Sequence, residues 1–232
     1  YFLIVDIIGS IDDKIENNQK LIDRLEKKVE LLFDNLYYNA INSNNYKMCK
    51  LKDYVKTIIT GTTPSTKEDK YWGNDINFIT IPDMQNNIFI INTERKLANS
   101  VKTKFSSRII SKNTLIVSCI ATVGLVSIVL KTSLTNQQIN SIIFHNEKDV
   151  YFFYQYFKKI KDYLIQLGSG GSATLNINKN AFSNIKVKIP NSKLLTYYLN
   201  KVEIIYNYIS NIQRENLKLI NLKQLYLKKF FR

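Results

Sequence analysis

Side chains able to do covalent chemistry are few in this chain and stand apart. His145 is the only histidine, and Cys49 and Cys119 are the only cysteines. A histidine-based zinc site or a Ser-His-Asp triad would rest on one residue. Two cysteines so far apart match neither a disulfide framework nor a metal-ligand spacing. The acids of the middle stretch are scattered: Asp53, Glu68, Asp69, Asp75, Asp83, Glu94, Glu147, Asp149 and Asp162. Glu68, Asp69 and Asp75 are the nearest approach to a Mg²⁺ site. Carboxylates beside basic residues more often tune charge or accept from a cytosine amine. Gly168–Ser172 lacks the lysine that a phosphate loop carries into its helix. Pro64, Pro82 and Pro190 are isolated, so the Asn/Asp-Pro-Pro-aromatic motif of S-adenosylmethionine-dependent amine methylation is missing. The expectation is a chain with no catalytic residue, no metal and no cofactor of its own.

The chemistry that remains is recognition of a polyanion. Lys and Arg exceed Asp and Glu by 14. The excess is uneven: residues 1–45 carry 5 basic and 8 acidic side chains, 46–192 carry 20 and 9, and 193–232 carry 8 and 2. A middle stretch this basic points to nucleic acid first and an anionic membrane second. Phosphate anchors and base-edge readers are both needed. Lys102, Lys104, Arg108 and Lys179 are phosphate candidates. Thr62, Thr63, Ser65 and Lys67 follow Gly61, which permits close backbone approach. Asp83, Met84, Gln85, Asn86 and Asn87 lie between two apolar runs, and amides can pair with adenine at two points. Thr122, Gln137 and the loop Ser169, Gly170, Gly171 and Ser172 complete the candidate set. Each has an ordinary alternative: a turn, a buried backbone partner, a connector or a solvated surface. Tyr71 and Trp72 read as core or loop supports.

Two apolar seams must hold these residues in place. One runs Ile8, Ile11, Ile15, Asn18, Ile22, Leu25, Val29, Leu32, Leu36. The other runs Tyr198, Val202, Ile205, Ile209, Ile212, Asn216, Leu219, Lys223, Tyr226, Phe230. Alternating steps of 3 and 4 keep one stripe facing a partner helix. The opposite charges of the two segments favour their pairing. Laid antiparallel about their midpoints, they bring Asn18 within a turn of Asn216, and a polar residue at such a place fixes register or partner number. Residues 1–5 read as a strand end or an apolar lead-in, with Asp6 or Ser10 capping a helix that runs to about Tyr38. Asn42–Asn45 is the linker. The module opens with Leu51 to Ile59. Apolar runs follow at Ile76–Ile81, Ile88–Ile91, Leu115–Ser118, Val123–Leu130 and Ile139–Phe144, with one helix from Val150 to about Leu167. Ile185–Ile189 closes the module before a second long helix from Ser192. The uncharged stretch Leu115–Leu130 is short for a membrane span and reads as two buried strands joined near Ala121–Gly124. The fold class is α+β: a mixed, mostly-β domain at 46–191 flanked by two long antiparallel coiled-coil helices at 1–45 and 192–232. A reducing cytoplasm is the default location.

The string Gly61-Thr62-Thr63-Pro64-Ser65 followed by Tyr71-Trp72-Gly73 resembles the opening of the target recognition domain in specificity subunits of type I restriction–modification systems. Further matches follow in family order: Phe78-Ile79 with Asp83, Leu115–Ser118 with Ala121–Gly124, Asn136-Gln137-Gln138, Gly168–Gly171 with Ile177-Asn178-Lys179, and Lys188-Ile189-Pro190. Asp12–Asn18 resembles the start of the family's spacer helix. There are departures. Thr60 stands for the first Gly of Gly-Gly-Thr-Pro, and Asn191, Ser192 and Lys193 replace the usual Pro and Glu-Gln. One recognition domain is present where members usually carry two.

The resemblance implies a non-catalytic subunit that reads half of a split site in double-stranded DNA. Methyltransferase subunits, which bind the S-adenosylmethionine, dock on the helices, and a translocase–nuclease subunit can join them. An alternative is the recognition part of a single-chain adenine methyltransferase or a restriction–methyltransferase fusion. A helix from Ile8 to Leu36 would be about 43 Å long at ~1.5 Å per residue, more than one ~34 Å turn of DNA. A homodimer through the helices is expected; a monomer lacking its first recognition domain is the alternative.

Overall fold

A computed structural model describes residues 2–170 and 174–230. In chain order the elements are α1 (Phe2–Asn42), β1 (Tyr46–Lys50), α2 (Leu51–Tyr54), β2 (Thr57–Thr60), β3 (Trp72–Ile79), α3 (Ile81–Met84), β4 (Phe89–Ile90), β5 (Arg95–Leu97), α4 (Val101–Lys104), β6 (Leu115–Ser118), β7 (Val126–Val129), β8 (Ser133–Thr135), β9 (Ile139–Ile143), α5 (Asp149–Lys159), α6 (Lys161–Gly168), α7 (Lys179–Ser183), β10 (Lys186–Pro190) and α8 (Ser192–Phe230). Short 3₁₀ turns lie at Asp69–Tyr71 and Ser106–Arg108.

The two seams meet each other. Ile11, Asn18, Ile22, Val29 and Leu36 are buried along α1, and Tyr198, Val202, Ile209, Ile212 and Asn216 along α8. The pairing is antiparallel. Lys223 bonds Asp12 at 2.6 Å near one end, and the rings of Phe33 and Tyr198 lie 6.2 Å apart near the other. Between them Asn18 Nδ2 donates to Asn216 Oδ1 at 2.8 Å and to Glu215 Oε2 at 2.9 Å. The sequence-expected proximity of the two asparagines is therefore a direct hydrogen bond.

A two-stranded antiparallel ribbon, β1 with β10, joins the helices to the module in the register Tyr46↔Pro190 to Lys50↔Lys186. The module holds a five-stranded sheet in the order β2-β9-β6-β7-β4 and a three-stranded sheet in the order β5-β3-β8. Both faces of the larger sheet are covered. Along β6, Leu115 and Val117 join the core shared with α1, α5 and α8, whereas Ile116 points to the core formed with Ile81 and Met84. An uninterrupted apolar run is what a strand buried on both faces requires. That explains the uncharged stretch: β6 and β7 are antiparallel neighbours, Leu115↔Ile128. No described helix is long and apolar enough to cross a membrane. The aromatic face of α5 is core: Phe152, Phe153 and Phe157 are fully buried, and Phe33 packs on Phe152 at 5.3 Å.

Several local expectations are corrected. Phe2–Val5 are helical, neither a strand end nor a lead-in, and α1 runs on to Asn42. Neither Asp6 nor Ser10 caps it: both lie inside the helix, where the Ser10 hydroxyl donates back to Ile7 O at 2.9 Å. The linker is a turn through Asn44 at φ 53, and it leads straight into β1, which the sequence reading missed. The stretch Leu51–Ile59 is a helical turn followed by a strand. The helix expected from Val150 to Leu167 is two helices, broken at Ile160, whose φ of −93° and ψ of 17° depart from helical values.

Candidate nucleic-acid interface

Strand direction gathers most of the candidate loops at one edge of the larger sheet. β2 ends there at Thr60, β9 begins at Ile139, β6 ends at Ser118 and β7 begins at Val126. The loops that leave these ends are tied to one another. Gly61 N–H donates to Ile139 O at 3.0 Å and Thr62 N–H to Thr135 O at 2.8 Å. The Thr63 hydroxyl donates to Gln137 Oε1 at 2.6 Å. Cys119 N–H donates to Gln138 O at 2.8 Å, and Ala121 N–H to Leu175 O at 2.9 Å, which brings in the chain beyond the Gly-Ser loop. Thr63, Ser65, Lys67, Thr122, Gln137, Ser169 and Gly170 are exposed on this edge, and Thr62 is half-buried. Gly171 and Ser172 lie outside the described residues.

A basic flank adjoins the Gly61–Ser65 loop. Trp72 Nε1 donates to Ser65 O at 3.1 Å, and Arg95 lies over the Trp72 ring at 3.9 Å. Tyr71 is buried against Phe105, with ring centres 5.5 Å apart, so both aromatics support the loop. That packing sets α4 beside the loop with Lys102 and Lys104 exposed. Arg108 follows, and its Nη1 donates to Thr60 O at 2.7 Å. The hydrogen bond from Lys70 holds the Glu68 carboxylate below its usual range, with a smaller pull from Lys104. Among the described residues Lys67, Lys102, Lys104 and Arg108 form no ion pair, so this flank keeps its positive charge.

Other candidates are elsewhere or otherwise engaged. Met84 is 2% exposed and belongs to the core, which removes it from a reading surface. Asp83 is a cap: its Oδ2 accepts from the Thr80 backbone at 2.8 Å and the Thr80 hydroxyl at 2.7 Å, and Oδ1 accepts from Glu94 N–H at 3.0 Å. Gln85, Asn86 and Asn87 are exposed and precede β4, which runs parallel to β7 and so opens at the same end of the sheet, but on the strand farthest from β2. Four strand spacings of ~4.8 Å put them roughly 19 Å from the Gly61 loop. Asn86 and Asn87 line a cavity of about 620 Å³ with Gln19, Asp23, Glu26 and Lys161, and so face α1. Lys179 opens α7 beside Lys52 and Thr57, at the end of β2 away from Gly61. Sequence reading missed the supports beneath the loops. Buried Asn140 accepts from the Thr60 hydroxyl at 2.7 Å and donates to Cys119 Sγ at 3.2 Å. Their only sequence signal is a polar residue inside an apolar strand.

The described residues hold no group of three or more His, Cys, Asp or Glu able to bind a metal. What the edge offers is hydrogen-bond donors and positive charge. Known proteins match the chain across this architecture. Residues 43–224 match the model of the type I restriction modification DNA specificity domain. The chain is 41% identical over 172 residues to the type I restriction enzyme HindI specificity subunit of Haemophilus influenzae. It is 29% identical over 171 residues to the MjaIX specificity subunit of Methanocaldococcus jannaschii. These matches cover 73% and 72% of this chain but 38% and 39% of the relatives, so the chain spans about two fifths of the length of the curated relatives it matches. The type I restriction–modification S subunit of M. genitalium has the same fold at 15% identity, with a TM-score of 0.68 over 98% of this chain and 59% of that one. A specificity-domain match across the ribbon, the loop-bearing module and most of α8 places the chain in the type I restriction modification DNA specificity domain family.

Proposed function

We propose that this chain is a non-catalytic, sequence-specific DNA-binding subunit that targets an adenine methyltransferase to a split site in double-stranded DNA, with a translocase–nuclease as an optional further subunit. The family match across residues 43–224 carries this reading. Residues 46–191 serve as the reader, and residues 1–45 and 192–232 as the rod that spaces it and docks the methyltransferase. The S-adenosylmethionine is bound by that partner, and the assembly works in the cytoplasm. The loop edge supports the reader role, because its donors and unpaired cations suit base edges and phosphates. Thr62, Thr63, Ser65, Thr122, Gln137, Ser169 and Gly170 contact the DNA, with Lys67, Lys102 and Lys104 on phosphates. Gln85, Asn86 and Asn87 reach it where the duplex runs along that edge from the Gly61 loop towards β4.

Gel shifts with the purified chain at two salt concentrations test the binding. Several phosphate contacts predict a steep fall in affinity with salt, and converting Lys102 and Lys104 to Ala should weaken every sequence alike. A salt-independent affinity would count against phosphate anchoring. The chain alone should transfer no label from S-adenosylmethionine to DNA; transfer by the pure chain would sink the targeting-subunit reading.

A further inference from the structure

Residues 46–191 contain two arginines, and the structure uses them differently. Arg95 is stacked on Trp72. Arg108 is exposed, and one terminal nitrogen is tied to Thr60 O. The tie is well anchored. Thr60 is paired with Asn140 in the sheet, its hydroxyl bonds the Asn140 side chain, and Asn140 is 2% exposed. With Nη1 held, the Nε–Nη2 edge of the guanidinium stays available as a planar two-donor fork. Three residues along the same segment, the Thr63 hydroxyl donates to Gln137 Oε1, which engages the oxygen of this exposed side chain and leaves the donors to its amide NH₂. Both exposed groups present donors. In the major groove guanine shows two acceptors side by side, N7 and O6. Adenine shows one acceptor and one donor, and cytosine a donor.

We infer that Arg108 is a base-reading residue that selects a guanine in the half-site, with Gln137 held by Thr63 as a donor to a neighbouring acceptor. The inference rests on the DNA-targeting reading. It replaces the phosphate role that the charge of Arg108 suggests from sequence. A phosphate contact needs only a cation, which is why lysine serves there. Guanine N7 and O6 side by side are met by the planar fork with two parallel bonds, and by lysine's ammonium with less fixed geometry.

The test is selection of bound duplexes from a randomised DNA pool by the full chain, with Arg108→Ala, Arg108→Lys and Gln137→Ala beside the parent and circular dichroism to confirm folding. The parent should enrich a motif with a guanine. Arg108→Ala should lose discrimination at that one position by about 10- to 100-fold, and Arg108→Lys should lose less while keeping most of its affinity for other sequences. Gln137→Ala should relax the adjacent position. A motif without guanine, an unchanged motif in Arg108→Ala, or an equal loss on all sequences in Arg108→Ala would overturn the inference while leaving the targeting reading intact. No enrichment by the parent would instead defeat the targeting reading, and this inference with it.

Discussion

Asn18 and Asn216 are the polar pair in the apolar seam, 4% and 9% exposed. One bond joins them, from Asn18 Nδ2 to Asn216 Oδ1, and Glu215 accepts a second bond from Asn18. Replacing one by Leu leaves the partner amide buried without its bond, at a cost of ~1–3 kcal/mol. Replacing both removes the requirement, so the double variant should be no less stable than either single one, while register and partner choice loosen. Urea unfolding of the four proteins gives the coupling directly, and additive losses would mean that the bond does not act as a pair. Gly61 makes a second argument at this scale. A Cβ there would sit 2.1 Å from Asn136 O and 2.3 Å from Thr135 O, both backbone atoms. Gly61→Ala should therefore push the loop off the strand, destabilise by roughly 1–3 kcal/mol and weaken DNA binding. Gly170, with nothing within 4 Å, should accept Ala without either effect. Equal melting temperatures for the Gly61 variant and the parent would refute the close-approach argument.

Among the elements, the rod and the module share one core rather than touching at a hinge. Phe33 of α1 meets Phe152 of α5 at 5.3 Å and Tyr198 of α8 at 6.2 Å, and is 1% exposed. Phe33→Ala should cost ~3–5 kcal/mol, with rod and module unfolding together in one transition. A loss under ~1 kcal/mol, or two separate transitions, would show that α1 is merely laid on the module. The long periodic elements were legible because their signal repeats: the seams fixed both helices, their antiparallel pairing and the level of the two asparagines. Leu115–Ser118 was legible because a strand buried on both faces must be apolar throughout. Other features have no local signal. β1, with the sequence Tyr-Lys-Met-Cys-Lys, is a strand because β10 pairs with it, and the break at Ile160 has neither Gly nor Pro to mark it. The site was half legible for the same reason. Loop composition nominated Asp83–Asn87 as readily as Thr62–Lys67. Sheet order then put the two groups at opposite sides of the sheet, four strands apart along the same strand-end edge, and capping and burial engaged Asp83 and Met84. Which amides share an edge is a property of strand pairing, not of any one loop.

At the scale of the whole molecule, α8 carries apolar side chains beyond Gln213, where it bonds the module. Gln213 accepts from Phe89 N–H at 3.2 Å; beyond it Leu222, Leu225, Leu227 and Phe230 are 41%, 65%, 40% and 37% exposed. Leu222 and Leu225 share one side of the helix and Leu227 and Phe230 another, at the end of the rod away from the module, where Lys223 and Asp12 still hold α1 alongside. Apolar surface of this kind is what another helix pair can cover. We propose that a second copy does so, about a two-fold axis, giving two readers on one bundle. The free rod from Gln213 to Phe230 is about 25 Å long at ~1.5 Å per residue. Fully overlapped rods would place the two modules roughly 25 Å apart and end-to-end rods roughly 50 Å; one DNA turn of ~34 Å falls between, so partial overlap suits half-sites on successive major grooves. The target would then be an interrupted palindrome. Sedimentation of the chain at micromolar concentration should show a dimer, and Leu222→Lys with Leu225→Lys should return it to a monomer that retains its fold but binds the full site weakly. A parent that sediments as a monomer, or a selected motif without two-fold symmetry, would rule the homodimer out and leave that surface to the helices of another recognition domain.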